Sequence, residues 1–107
     1  MQATSTTKET ILNIGKIFEK GLQNEYLSRS IGKIIEYEKE ETIKEVNTLR
    51  KELSHFEDTY QMSSQDFFEK FENGDLGDKE DYFEWSAMYR MYARTVDRLN
   101  ILESTPV

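Results

Sequence analysis

A chain of 107 residues is the length of one domain with a core of modest size. Its 36% hydrophobic and 33% charged residues are lean for a compact globule, yet 12% aromatics are too many for a disordered chain, so long solvated helices are expected. A formal net charge of -7 opposes direct contact with nucleic acid and favours a basic partner, and the absence of cysteine removes disulfides, thiolate nucleophiles and thiolate metal sites.

Residues 1–6 are small and polar without periodicity and are expected to be disordered. Ile11, Ile14 and Phe18 then fall at helical spacing behind a capping box of Thr6 and Glu9, which predicts a short helix over 8–20 that Gly21 stops. A long helix is predicted over 24–60, where Gly32 near the start is the one helix-weakening residue. Its seam is Ile31, Ile35, Val46, Leu49, Leu53, Phe56 and Tyr60, with Lys39 and Thr42 in the polar gap, a heptad pattern of helix against helix. The charges between Glu36 and Glu52 alternate in sign as on a solvated face, with Glu40 and Lys44 as a favourable pair.

Ser63 is placed to cap a short helix over 64–72, with Asp66 in the box position and Asn73 and Gly74 ending it. Phe67 and Phe71 share one face of that helix and Phe68 lies about 100° away, which leaves one ring for another surface. Asp78 reads as the N-cap of a last helix over 79–102, with a stripe of Tyr82, Trp85, Met88 or Tyr89, Tyr92, Val96, Leu99 and Leu102. Arg90, Arg94 and Arg98 sit on another face, suited to glutamates of a neighbouring helix.

These elements predict an all-α protein, one domain over 1–107. The expected arrangement is an antiparallel helical hairpin of long helix, short helix at the bend and C-terminal helix, with a short N-terminal helix added. The bend carries more ring surface than two helices are expected to shelter, so a partner or a second copy is expected to complete the core.

The residues offer no catalytic set. His55, the only histidine, has Glu52 and Asp58 nearby but lacks the further partners of a metal or acid–base site, and a structural or solvated role is expected. Asp75, Asp78, Glu80 and Asp81 do not fit the twelve-residue calcium loop, and Ser63 and Ser64 have no histidine base in reach. No glycine-rich phosphate loop follows a strand pattern. No apolar run approaches the roughly 20 residues of a membrane span. The opening MQATSTTKETILNIGKIF lacks a basic stretch before a continuous apolar run. A cytoplasmic protein without membrane contact, cofactor, metal or enzymatic activity is therefore expected.

The phrase FEDTYQMSSQDFFEKFENGDLGD followed by DYFEWSAMYRMY, over about Phe56 to Tyr92, resembles a family of small all-helical prokaryotic proteins. Phe67, Phe68, Phe71, Gly74, Leu76, Gly77, Asp78, Phe83, Glu84, Trp85 and Tyr89 match its pattern. These proteins look like the antitoxin partners of TumE-type toxins. The resemblance implies an intracellular neutraliser of a small toxin, with no activity of its own. On that reading Phe67, Phe68, Phe71, Tyr82, Trp85 and Tyr89 supply partner-binding rings, and Asp75, Glu80, Asp81 and Glu84 a charged ring around them. The alternative is a homodimeric coiled-coil adaptor that pairs through the seam from Ile35 to Tyr60 and has no toxin.

Overall fold

The structure is a computed structural model that describes residues 3–21 and 24–106. The described residues form four helices, α1 (Ala3–Glu19), α2 (Glu25–Tyr60), α3 (Ser64–Glu72) and α4 (Glu80–Glu103), and no strand, so the protein is all-α. The chain divides into two compact units, Met1–Gly32 and Lys33–Val107.

In the first unit α1 begins at Ala3, ahead of the expected start. Thr6 therefore lies inside the helix, where its carbonyl accepts the Thr10 hydroxyl at 2.9 Å, and the expected capping box with Glu9 is not a terminus. Residues 3–6 belong to this helix, in contrast to the disorder expected for 1–6; residues 1 and 2 lie outside the described residues. Gly21 adopts φ +99°, the left-handed conformation glycine accepts without a Cβ penalty, and its N–H donates to the Phe18 carbonyl at 3.0 Å. Asn24 Oδ1 accepts the Leu27 N–H at 3.0 Å and so caps α2. No described side chain of this unit is buried, and Ile11, Leu12, Ile17 and Tyr26 are exposed.

The second unit holds the core. Leu53, Phe56, Phe67 and Trp85 form its buried centre, with Tyr60, Met62, Phe68, Phe71, Leu76, Tyr82, Met88, Tyr89 and Tyr92 packed around it. The cross-contacts between α2 and α4 include Glu45 with Arg98, Arg50 over the Tyr92 ring, Phe56 with Trp85, and Tyr60 with Asp81, Tyr82 and Trp85. Numbers rise along α2 as they fall along α4, so the two helices run antiparallel where they touch. This intramolecular packing uses the C-terminal half of the predicted seam, because Leu53 and Phe56 already meet α3 and α4 of their own chain.

Thr42 in the polar gap of that seam is 2% exposed, and Ser86 and Thr95 of α4 are also buried. Thr95 keeps its hydroxyl satisfied by donating to the Met91 carbonyl at 2.8 Å. Among the described residues no buried side-chain nitrogen or oxygen lacks a partner. On the outer face of α2, Lys44 forms its ion pair with Glu41 at 3.1 Å, while the expected partner Glu40 also acts favourably on its charge from farther away. Arg90 pairs with Glu72 at 2.9 Å, and Arg98 pairs with Glu45, so these two arginines serve neighbouring helices.

Candidate partner-binding surface

The bend is built around Glu57 and Ser64. Gln61 at φ 53° turns the chain out of α2, and Ser63 caps α3 by accepting the Asp66 N–H at 3.1 Å. One residue on, the Ser64 N–H donates to the Glu57 carboxylate at 2.9 Å, while Ser64 Oγ accepts the indole N–H of Trp85 at 2.9 Å. Arg50 completes the set with an ion pair to Glu57. Burial pushes the Glu57 carboxyl up, but the hydrogen bonds from Ser64 and Arg50 outweigh it and hold the group below its ordinary value. The bond to Glu57 in turn raises Arg50. Three helices are thereby tied together through a single carboxylate and one serine, and neither residue was singled out for this role by sequence pattern.

This scaffold decides where each expected partner-binding residue lies. Phe67 and Trp85 are 0% exposed and stack on each other, with centroids 3.8 Å apart and planes 5° from parallel. A ring enclosed on all sides offers a partner no surface, so these two are core residues, in contrast to the expectation that they anchor a partner. Tyr82 and Tyr89 follow the same inward stripe and are half-buried, the first against Tyr60 and Phe67, the second against Phe68. Phe68 is not left over: it is half-buried, 5.1 Å from Tyr89, with the Arg90 guanidinium over its ring at 5.5 Å. Phe71 is half-buried against Phe67 and Phe83.

The acids behave differently. Asp75, Glu80, Asp81 and Glu84 are all exposed. Lys79, not Asp78, stands at the N-cap of α4, with no side-chain cap bond. Asp81 is engaged locally: it accepts the Tyr60 hydroxyl at 2.6 Å, and this bond raises the Tyr60 hydroxyl from its ordinary 10.0 to about 12. The Lys79 ammonium lies over the rings of Tyr60 and Tyr82 at 5.4 and 5.8 Å.

A second stripe runs along the other side of α4, and the sequence reading did not isolate it. Phe83, Ala87 and Met91 recur every fourth residue, roughly opposite Trp85 on a helix of about 3.6 residues per turn. Phe83 is 57% exposed and Met91 44%, and Ala87 between them is exposed. Phe71 meets Phe83 edge-on, with centroids 5.5 Å apart and planes at 88°, so the exposed ring is held on one side. Glu80 and Glu84 stand on the same exposed part of the helix. The signal was present in the sequence as a fourfold spacing, but the larger and more regular stripe of Tyr82, Trp85 and Tyr89 masks it.

Beside this stripe, Glu52, His55, Phe56, Glu84 and Met88 line a shallow pocket of 190 Å³ between α2 and α4. His55 is exposed, its ring edge-on to Phe56 at 6.1 Å. Among the described residues no group of three or more histidine, cysteine, aspartate or glutamate side chains is placed to hold a metal ion. No described helix is long and apolar enough to cross a membrane. Comparison with protein families, with characterised proteins and with solved structures found no match to this chain.

Proposed function

We propose that this chain is an antitoxin-like binding protein that neutralises a small, basic toxin in the cytoplasm by direct contact, without catalysis. The observation that carries this reading is the exposed stripe of Phe83, Ala87 and Met91 bordered by Glu80 and Glu84. An aromatic ring that a partner can cover is the usual energetic centre of an interface, and a rim of one charge sign speeds encounter with a partner of the other sign. Covering the 57% of Phe83 that is still exposed would contribute about 1–2 kcal/mol. The family resemblance over about Phe56 to Tyr92 supports the same role, with Phe83 and Glu84 among its matching residues. Phe67 and Trp85 act from within, by holding α3 and α4 together so that the outer stripe is presented.

Co-expression with the product of the adjacent gene tests this reading. The intact chain is expected to co-purify with that product and restore growth, and Phe83→Ala with Met91→Ala to weaken the complex by about tenfold or more. A double variant that binds and rescues as well as the parent would remove the stripe from the interface. The absence of any toxic neighbour would remove the antitoxin role itself.

A further inference from the structure

We propose that the pocket between α2 and α4 receives one arginine or lysine side chain of the partner, a site that deepens the binding role proposed above and rests on it. Two carboxylates, Glu52 from α2 and Glu84 from α4, line the pocket, and neither is in any of the ion pairs among the described residues. The other lining groups, Phe56, Met88 and the His55 ring, give the pocket a largely apolar wall. A cation on an apolar stem fits this combination: the stem lies along Met88 and the edge of the pocket wall, and the charged head meets the two carboxylates. A carboxylate ligand would be repelled by the same two acids, and a purely apolar side chain would leave them without a partner.

The 190 Å³ of the pocket is room for one side-chain head and not for a folded segment. Glu84 belongs both to this pocket and to the border of the Phe83 stripe. The partner is therefore inferred to present a basic side chain next to the apolar group that covers Phe83, and the pair of contacts fixes its register on α4.

The probe is N-butylguanidinium chloride, added to the intact chain and followed by the NMR signals of the Met88 methyl and the His55 ring, with sodium chloride at equal ionic strength as control. The expected result is a saturable shift at both residues that the control does not give, weakened about fivefold in Glu52→Gln and abolished in Glu52→Lys, whose own ammonium fills the site. Glu52 is exposed, so both variants should keep the near-ultraviolet circular dichroism of Trp85, which verifies the fold. Shifts equal to the salt control, or unchanged in Glu52→Lys, would overturn the pocket. If the titration fails while the neighbouring gene product still co-purifies, the pocket is wrong and the binding role stands. If the titration saturates and no partner exists, the pocket stands and the antitoxin role falls.

Discussion

Ser64 shows how much a single small residue decides in this protein. Its N–H serves Glu57 and its hydroxyl accepts the indole N–H of a Trp85 that has no exposed surface. Ser64→Ala strands that buried donor and is expected to cost about 1–3 kcal/mol, read as a lower urea midpoint at unchanged slope. Glu57 adds a pH dependence. Its carboxyl lies below its ordinary 4.5 in the fold, so as acid is added the unfolded chain takes up that proton first. The stabilisation is present above pH 4.5 and is lost as pH falls through the folded value. Glu57→Gln should flatten that part of the acid unfolding curve, and an acid limb identical to the parent's would show that Glu57 is not its source. Tyr60 has the opposite sign: with its hydroxyl raised from 10.0 to about 12, its contribution is whole below pH 10.0 and is lost as pH climbs toward 12. Ultraviolet titration should show Tyr60 ionising late, toward 12, and Asp81→Asn should bring it back toward 10.0.

At the scale of the element, α3 is the best-specified piece. Ser63 begins it, and the end is a Schellman turn in which Asp75 N–H reaches the Lys70 carbonyl at 2.9 Å and Gly74 N–H the Phe71 carbonyl at 3.1 Å. Gly74 sits at φ 78°, so Gly74→Ala is expected to destabilise by about 1–2 kcal/mol through strain alone, since no atom lies within 4 Å of the added Cβ. Loss of the Ser63 cap in Ser63→Ala should cost about 1 kcal/mol. The two changes sit at opposite ends of the helix, and urea midpoints of the single and double variants would show whether they add. The limits 64–72 were legible from these residues because caps act locally. The start of α4 was not: Asp78 looks like a cap, but Lys79 occupies that position and the nearby Asp81 is drawn to Tyr60, a residue far away in sequence.

For the whole molecule, the decisive feature is that every buried side chain among the described residues lies between Thr42 and Thr95. The unit Lys33–Val107 therefore contains the entire described core. A fragment of residues 33–107 is expected to keep the near-ultraviolet signal of Trp85 and to unfold cooperatively at a urea midpoint close to that of the full chain. A fragment without that signal would show that the first unit is required for the core. The expectation that the bend holds more ring surface than the chain can shelter is revised on the same grounds. The structure encloses Phe67 and Trp85 and half-covers Phe68, Phe71, Tyr82 and Tyr89, and among the rings of this segment Phe83 is the one left largely exposed.

The sequence by itself determined the elements: the spacing of apolar residues made four helices, and Gly21, Ser63 and Gly74 set their ends, because helix periodicity and capping depend on residues within a turn or two of one another. It also determined which rings were large and regularly placed. Only the tertiary structure decided which face of α4 points inward, since that depends on α2 and α3 meeting it from particular sides. Regular spacing of Tyr82, Trp85 and Tyr89 is the signature of a core stripe as much as of a binding stripe, and burial against Phe56 and Phe67 chose the first. On α4 the apolar side chains that stay exposed are ones this packing left outside, including Phe83, Ala87, Met91 and Ile101, beside the acids that water still reaches.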